Sequence, residues 1–382
     1  MSDGLPLSGL FVVEIGHSLA GPFACSILGD LGATVLKVET GKGDHARDWG
    51  PVHVSGAAAL FHAVNHGKRS AVANLRDPDD VAALRALILD RADILVQNLR
   101  VGALDKVGLD GASLTAAKPS LIYCNVGAFG RTGPLRDAPG YDPLIQAASG
   151  LMSMLGSPGE LPSRVPVAIN DLGTGIWAVV GILSALLKRK DTGRGGIVDV
   201  SLYETALTWM TVPLSDYMAT GDLPERLGSG VANIVPYQVF DCIDGSLLIA
   251  AGNDLLFGRL CNVLGLTELI TDPRFAANVG RVANRRTLIP LLADKMKLRT
   301  VADMRAALQE AGVPCGQVNT VDATVASPQT EALGIIQATP EHNVRTLALP
   351  VSFDGKRPSL AGRIPSLGEH QDMIATTQEP AR

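Results

Sequence analysis

The first 200 residues alternate short apolar runs with segments of helical length, and this alternation constrains the fold more than any other feature. Helical segments at 20–31 and 78–90 separate several of the runs, and Asp77 with Pro78 is a typical start for the second helix. The strand-length runs lie at 10–15, 34–39, 70–75, 93–97, 120–125 and 197–200. Such an order is typical of βαβ units, so the sequence predicts an α/β fold with a parallel sheet. Ligands are then expected at the carboxyl ends of the strands.

A different pattern begins near residue 226, after a largely helical connector at 201–225. Two apolar runs, Tyr237–Asp241 and Ser246–Ala250, flank the turn Asp244-Gly245, and this arrangement predicts a β-hairpin. Helical segments with polar breaks follow it. We therefore expect a second, smaller α+β domain at about 226–325.

Composition excludes several classes of protein. A net charge of −5 argues against a general nucleic-acid binder, whose surface is basic. The five cysteines form no CxxC pair, so neither a zinc knuckle nor a redox dithiol is indicated. The N-terminus does not resemble a signal peptide, and the apolar stretch 172–187 is shorter than the roughly 20 residues that span a bilayer. We interpret that stretch as a buried helix and expect a cytoplasmic protein without a metal.

The turn after the first strand carries a motif with two interpretations. Gly16-His17-Ser18-Leu19-Ala20 imitates the GxSxG nucleophile elbow, with Ala20 in place of the second glycine, and would make Ser18 the nucleophile of a serine hydrolase. Alternatively, the turn presents free N–H groups to an anionic ligand. A dinucleotide fingerprint is absent, because four residues separate Gly16 from Gly21.

Asp171 stands at the start of the long helix predicted for 171–190. Aspartate is a good N-cap, and this structural role is one explanation for the residue. The positive end of a helix also favours the carboxylate form, so we expect Asp171 to be ionised at neutral pH. An ionised carboxylate at the edge of a cleft can act as a covalent nucleophile, which is the second explanation.

Taken together, the ordered motifs of the chain resemble the class III CoA-transferases of the CaiB/BaiF type. This group includes formyl-CoA transferase, carnitine CoA-transferase and the 2-methylacyl-CoA racemases. The similarity extends over nearly the whole chain. The motifs that carry it are Gly21-Pro22, 31–39 (LGATVLKVE), Gly43-Asp44, 67–70 (GKRS), Ala92-Asp93 leading to Asn98, Gly102-Ala103-Leu104, Gly127 to Gly133-Pro134, Gly140-Tyr141-Asp142, Asp171 with its helix, 192–195 (TGRG), Pro236-Tyr237 with Phe240, and 251–254 (AGND).

The resemblance implies an architecture and a mechanism. Family members are interlocked, ring-like homodimers whose large Rossmann-like domain combines N- and C-terminal segments. For this chain the expected divisions are a large CoA-binding domain at 1–200 and 335–382, a helical linker at 201–225, a small domain at 226–325 and a return linker at 326–334. CoA or acyl-CoA is a substrate, and no cofactor is permanently bound. The residue that matches the nucleophile is Asp171, which passes through a mixed anhydride and an aspartyl-CoA thioester.

Other site residues are implied by their positions in the family motifs. Lys68 matches a lysine near the adenine of CoA, Asn98 and the following Leu99 match the CoA site, and Lys106 matches a basic residue that faces the phosphates. Leu19 and Thr40 stand where formyl-CoA transferase has a glutamine and an arginine, so CoA contacts at Thr40 must differ. The glycines Gly228 and Gly230 lie roughly where that enzyme has a run of four glycines.

The motif at Tyr141 separates transfer from racemisation. The racemases have a histidine at this position and use it with the later aspartate to move an α-proton. Tyrosine, with an ordinary pKa of about 10, is a poor proton shuttle, and Tyr141 matches a tyrosine beside the transferase active site. We therefore expect CoA transfer, with 2-methylacyl-CoA racemisation as the alternative and a non-catalytic acyl-CoA-binding protein as a more remote one.

The acceptor acid is expected to be small. His45, Arg47 and Trp49 follow Gly43-Asp44 and are candidates to line the acyl end of the site. A distal carboxylate could be held by Arg47, Arg164 or Arg226, since guanidinium groups bind carboxylates in a bidentate manner. We expect succinyl-CoA as the donor and a dicarboxylate such as itaconate, mesaconate, citramalate or glutarate as the acceptor. Neither nucleic acid nor a membrane is an expected partner.

Overall fold

A computed structural model describes residues 4–340 and 344–375 of the 382-residue chain. The strands are β1 (Phe11–Ile15), β2 (Thr34–Glu39), β3 (His53–Val54), β4 (Ala57–Ala58), β5 (Arg69–Val72), β6 (Ile94–Gln97), β7 (Ile122–Gly127), β8 (Gly196–Ser201), β9 (Tyr237–Asp241), β10 (Ser246–Ala250), β11 (Cys315–Gln317), β12 (Ile336–Ala338) and β13 (Arg345–Leu347). The helices are α1 (Ala20–Asp30), α2 (Ala59–Asn65), α3 (Pro78–Arg91), α4 (Gly111–Ala117), α5 (Asp142–Ala148), α6 (Ile169–Thr192), α7 (Leu202–Trp209), α8 (Thr211–Thr220), α9 (Asp254–Leu264), α10 (Asn278–Ala283), α11 (Arg285–Met296), α12 (Val301–Glu310), α13 (Val321–Val325), α14 (Pro328–Leu333) and α15 (Asp372–Ala375). Short 3-10 helices cover His45–Asp48, Asp105–Val107, Leu151–Met154 and Thr267–Ile270.

The main sheet has six strands in the order β5-β2-β1-β6-β7-β8, and every neighbouring pair is parallel. The predicted α/β fold with a parallel sheet is therefore confirmed. Apolar clusters cover both faces of the sheet, as expected for strands whose sequences are nearly continuous apolar runs. The chain leaves β1 in one direction for β2 and β5 and in the other for β6, β7 and β8. The junction between β1 and β6 is thus the switch point of a doubly wound sheet, where ligands bind at the carboxyl ends.

The individual elements agree well with the sequence pattern. Strands β2, β9 and β10 have the predicted bounds, and the other predicted strands differ at their ends by one to three residues. Asp77 caps α3, because its side chain accepts a hydrogen bond from the N–H of Asp79 at 3.0 Å. Strand β11 pairs with β10 and was not predicted from the sequence.

Charged side chains are buried within the sheet beside the apolar clusters. Glu14 on β1 accepts hydrogen bonds from the Nζ atoms of Lys37 at 2.7 Å and Lys68 at 2.6 Å. Lys37 also contacts Asp44 at 2.9 Å and donates to the carbonyl of Gly16 at 2.9 Å. Burial would lower the pKa of Lys37, but Glu14 and Asp44 raise it above its ordinary value, so the ammonium form is favoured.

The described residues divide into two compact units. Of the described residues, the first unit contains 4–149, 165–211, 328–340 and 344–375, and the second contains 150–164 and 212–327. This division places 150–164 with the second unit and α7 with the first, whereas the sequence analysis assigned them to the large domain and the linker. The predicted domain boundaries stay a prediction.

The second unit has its own sheet and core. Strands β9, β10 and β11 form an antiparallel sheet that packs on apolar residues of α9, α11 and α12. The fully buried Arg281 joins several segments, because its guanidinium donates to the carbonyls of Val235 and Phe275 and pairs with Asp254 at 2.7 Å. A buried cation of this kind must be fully hydrogen-bonded to be tolerated.

Helix α6 is only partly buried, which differs from the sequence interpretation. Its residues Ala178, Val179 and Ile182 lie in the core, but Trp177 and Leu187 are among several large apolar side chains on the opposite face that are exposed. By length and composition this helix could cross a membrane, a test that core helices of water-soluble proteins also pass.

We expect removal of Glu14 to destabilise the first unit strongly. Glu14→Ala removes the carboxylate that the buried ammonium groups of Lys37 and Lys68 share. Breaking a buried ion pair by removing one partner costs about 3–5 kcal/mol. Denaturant unfolding measures the loss. The control is Asp137→Ala, which removes an exposed pair with Arg136 and should cost about 0.5 kcal/mol or less. Equal losses in both variants would contradict a structural role for the cluster.

Candidate active site

The turn after β1 is fixed by Asn98, the first residue after β6. Asn98 accepts a hydrogen bond from the N–H of His17 at 2.9 Å and donates to the carbonyl of His17 at 2.8 Å. Gly16 permits this approach, because a Cβ there would lie 2.9 Å from the Asn98 carboxamide oxygen. The Asn98 side chain, predicted to bind CoA, is therefore engaged in holding the turn.

Ser18 shares two features with a nucleophile elbow. Its φ angle is +68°, a strained value for a residue other than glycine, and its Oγ lies 2.9 Å from the Nδ1 atom of His17. In the described part of the chain, however, no carboxylate is hydrogen-bonded to the His17 ring. A serine relay needs such a third group to orient the base. Burial is the main reason that the pKa of His17 is lowered, so its neutral form is favoured.

The predicted CoA-binding residues are only partly brought together. A cavity of about 100 Å³ at the carboxyl ends of β1 and β2 is lined by Thr40, His45 and Leu99 together with Gly16 and His17. Leu99 also lines a second cavity of about 200 Å³ at the ends of β6, β7 and β8. Leu19 is buried at the start of α1, and Lys106 is exposed on a 3-10 turn.

The side chain of Lys68 is bonded within the core. Its ammonium group is buried and donates to Glu14, to the carbonyl of Pro22 at 2.8 Å and to Asn65 at 3.0 Å. These three bonds use all three N–H donors of the group. The ammonium group of Lys68 therefore has internal partners that stabilise the core, and its position near the adenine of CoA stays a prediction.

Arg47 does not have a free guanidinium for a distal carboxylate. It forms a bidentate pair with Glu39, with distances of 2.9 and 2.7 Å, and also donates to the carbonyl of Pro365. The guanidinium stacks on Phe61 at 4.2 Å. An internal carboxylate thus occupies the fork of Arg47, and its role in substrate binding stays a prediction.

The remaining predicted residues occupy three places. Trp49 is exposed directly after the 3-10 helix that contains Arg47, and Tyr141 is 59% exposed at the N-cap position of α5. Gly228 and Gly230 belong to the second unit, where Gly228 has a φ of +60° that favours glycine. Among these four residues, Tyr141 alone is followed in the sequence by a residue that is hydrogen-bonded to the first turn of α6.

That contacting residue is Asp142, whose carboxylate caps α6. Asp142 Oδ2 accepts hydrogen bonds from the N–H groups of Asn170 at 2.6 Å and Asp171 at 3.3 Å. Its other oxygen accepts from the Gln146 side chain at 2.5 Å. The helix begins at Ile169, so Asp171 is the third helical residue and not the N-cap that the sequence suggested. The capping function belongs to Asp142, 29 residues earlier in the chain.

The pKa of Asp171 also differs from the expected value. Burial, together with the negative charge of Asp142, raises the pKa of Asp171 to about 7. The helix dipole alone predicted an ionised carboxylate at neutral pH. That expectation is wrong, because desolvation and a like charge outweigh the dipole, whose effect is typically below about 2 kcal/mol.

Sequence reasoning missed three residues around Asp171. Asp142 and Gln146 are four residues apart on α5, and this helical spacing was a signal that they share a face. Asn170 is fully buried, and neither polar atom of its side chain has a hydrogen-bond partner in the described ranges. No sequence signal marks such an unsatisfied carboxamide, which depends on the packing around it.

Two helix N-termini meet at this edge of the sheet. Helices α1 and α6 each run antiparallel to the strands, so both begin near the strands' carboxyl ends. Gly175 allows their close packing, because a Cβ there would lie 3.0 Å from the carbonyl oxygen of Ala20. Asp171 lies one turn before Gly175, on the side of this contact that faces the start of α6. Within residues 4–340 and 344–375 no group of three potential metal ligands occurs.

Comparison with known proteins decides the family. The profile of "CoA-transferase family III" matches residues 7–371. The chain belongs to CoA-transferase family III. It is 38% identical over 391 residues to a succinate–glutarate CoA-transferase of Agrobacterium fabrum, covering 98% of this chain and 96% of the relative. It is 39% identical over 333 residues to an acetyl-CoA:oxalate CoA-transferase of Acetobacter aceti, covering 87% and 85%.

A solved structure supports the same family. The crystal structure of a CaiB/BaiF family protein from Brucella suis superimposes with a TM-score of 0.87 at 41% identity, covering 97% of this chain and 99% of that one. The family and the enzyme class predicted from the motifs, class III CoA-transferase, are thereby confirmed. The six-stranded parallel sheet agrees with this CoA-transferase family.

We expect Asp171→Asn to stabilise this CoA-transferase at pH 8 and to have little effect at pH 4. The folded-state pKa is raised, so an ionisation penalty appears as the pH rises from about 4, where the unfolded carboxyl ionises, to about 7. Three pKa units correspond to about 4 kcal/mol, and partial exposure reduces this to about 2 kcal/mol. Unfolding in denaturant at both pH values measures the difference. Stabilisation that is equal at pH 4 and pH 8 would contradict the raised pKa.

Proposed function

We propose that the protein transfers CoA from an acyl-CoA donor to a small dicarboxylic acid, with Asp171 as the covalent nucleophile. The observation that carries the proposal is the half-buried carboxyl of Asp171 in the first turn of α6, with its pKa raised to about 7. At neutral pH a large fraction is therefore ionised, and the ionised form is a stronger base than an ordinary carboxylate. Both properties suit a nucleophile that attacks a thioester.

The proposed reaction has four balanced steps. Asp171 attacks the thioester carbonyl of the donor, and CoA leaves as a thiolate to give a mixed anhydride. The thiolate attacks the aspartyl carbonyl, which releases the donor acid and leaves an aspartyl-CoA thioester. The acceptor carboxylate attacks this thioester and again expels the thiolate. The thiolate finally attacks the acceptor carbonyl, which restores Asp171 and releases the new acyl-CoA.

Dicarboxylates are the proposed acceptors because both relatives are named for one. Glutarate appears in the name of the Agrobacterium relative and oxalate in that of the Acetobacter relative. The first name includes succinate and the second acetyl-CoA, so succinyl-CoA is the preferred donor in our proposal and acetyl-CoA the second. Itaconate, mesaconate and citramalate complete the set of acids to be assayed.

Transfer is favoured over racemisation by the groups beside Asp171. Two-base α-proton exchange needs a second acid–base group on the opposite face of the substrate. Tyr141 stands where the racemases have histidine, and Asp142 is buried with both oxygens hydrogen-bonded to α6 and Gln146. Neither side chain is suited to shuttle a proton, which supports the transferase.

We also propose a cytoplasmic homodimer. The free thiols of all five cysteines suit a reducing compartment. One face of α6 exposes four large apolar residues, Ile176, Trp177, Val180 and Leu187. Single exposed apolar residues are common on protein surfaces, whereas a larger apolar patch marks an interaction site. Burial of this face against a second copy would remove it from water, in agreement with the interlocked dimer that the resemblance implies.

Trapping tests the nucleophile directly. We expect incubation with succinyl-CoA followed by hydroxylamine to convert Asp171 into a hydroxamate, detected by mass spectrometry of its peptide. Asp171→Asn should show no modification and should lose exchange by about 10³-fold or more, since the covalent route is removed. Asp137→Asn, an exposed carboxylate, is the matched control and should keep full activity. Unchanged exchange in Asp171→Asn would exclude the proposed nucleophile.

Light scattering tests the dimer. We expect a mass of about twice 39.9 kDa that persists on dilution, since interlocked chains cannot separate without unfolding. Trp177→Glu places a charge on the α6 face and should reduce the yield of dimer, whereas Lys190→Glu on the same helix should not. A monomeric mass for the unmodified protein would contradict this part of the proposal.

A further inference from the structure

The second unit contains an open groove of about 660 Å³ that the transfer mechanism does not use. Its wall includes the segment 225–227, Gln238 of β9 and the first turn of α11. Three arginines line it, Arg226, Arg285 and Arg286, with Glu225 as the single acidic residue among its lining. The chain as a whole has a net charge of −5, so its overall composition does not explain a groove with excess positive charge.

Among the residues that the structure describes, no carboxylate is hydrogen-bonded to these three guanidinium groups, although Glu225 interacts electrostatically with Arg285. Arg285 Nη2 donates to the carbonyls of Val231 at 2.7 Å and Ala232 at 2.6 Å, and Arg226 Nη1 donates to the carbonyl of Glu160 at 2.5 Å. Carbonyl oxygens satisfy donors but do not neutralise charge. The ion pairs in the described part of this unit involve Arg274 and Arg281, not these three residues.

The position of two of the arginines adds to the electrostatic imbalance. Arg285 and Arg286 are the first two residues of α11, whose first turn contains no acidic residue. The N-terminal end of a helix carries partial positive charge and favours anions, so cations here repel both one another and the dipole. A bound anion would relieve this repulsion.

The loop 228–230 beside the groove is also held by hydrogen bonds that do not involve the guanidinium groups. Gly228 donates from its N–H to the carbonyl of Gly156 at 3.1 Å, and the N–H of Val239 donates to Ser229 Oγ at 3.0 Å. Gly230 closes the loop by donating to the carbonyl of Leu227 at 2.9 Å. Most N–H donors of Arg226 and Arg286 are thus available to a ligand, and their removal should not unfold the unit.

We propose that this groove binds a small dianion, either a dicarboxylate or a phosphate. Arg226 and Arg286 would each present the planar fork that binds two oxygens of a carboxylate or phosphate. Two accessible guanidinium groups suit two negative charges better than one. Because every residue of the groove belongs to the second unit, this proposal does not depend on the role of Asp171.

Calorimetric titration of the full chain tests the site. Glutarate, inorganic phosphate and the monoanion acetate are titrated separately, without CoA, into the unmodified protein. We expect saturable binding of glutarate or phosphate and at least tenfold weaker binding of acetate. In Arg226→Gln/Arg286→Gln the affinity for the dianion should fall at least tenfold, while Arg305→Gln, an exposed arginine of the same unit outside the groove, keeps it.

The choice of variants keeps the outcome interpretable. Arg285 is left unchanged because its bonds to Val231 and Ala232 contribute to folding. Equal melting temperatures for the double variant and Arg305→Gln would show that the fold is retained, and Arg286→Glu alone should weaken binding further than Arg286→Gln. Binding of glutarate alone or of phosphate alone identifies the ligand class. Absence of saturable binding, or binding that is unchanged in the double variant, would overturn the proposal.

Discussion

The ion cluster around Glu14 positions the edge of the sheet on which the candidate active site is built. One carboxylate on β1 binds two buried ammonium groups, and these in turn bind the backbone of Gly16 and Pro22 and the side chain of Asp44. Asp44 then accepts from the N–H groups of Ser18 and Ala46. Because a buried charge is tolerated only with a full set of partners, these segments cannot shift separately. The end of β1, the start of α1 and the loop after β2 therefore behave as one structure.

This dependence explains which features were predictable from the sequence. The alternation of strands and helices is local, and it predicted the sheet and the bounds of β2, β9 and β10. The functions of Lys68 and Arg47 are not local. In the sequence each is a cation beside glycine or a polar loop, typical of a ligand-binding residue, and only the folded chain brings Glu14 and Glu39 against them. The pairing of a cation with a buried carboxylate produces neither a motif nor a periodicity in the sequence.

The same reasoning applies to Asp171, the proposed nucleophile, whose ionisation was wrongly predicted from its position in the sequence. Asp142 lies 29 residues earlier, yet its carboxylate takes the N–H groups that would otherwise stabilise a negative charge on the first turn of α6. The helix dipole thus mainly stabilises the carboxylate of Asp142, and the negative charge of Asp142 in turn raises the pKa of Asp171. Capping and pKa are consequently two effects of one contact, which explains why an estimate from helix position alone failed.

A raised pKa has a consequence for the proposed reaction that an ordinary carboxylate would not have. In the mixed anhydride the thiolate can attack either carbonyl, and the weaker base is the better leaving group. Attack on the aspartyl carbonyl expels a substrate carboxylate, whose ordinary pKa is about 4, whereas attack on the substrate carbonyl expels Asp171, whose pKa is about 7. Partition therefore favours the aspartyl-CoA thioester from either side of the reaction. On this mechanism the enzyme-bound thioester is the species that persists between the two half-reactions, and Asp142 contributes to its persistence through the pKa of its neighbour.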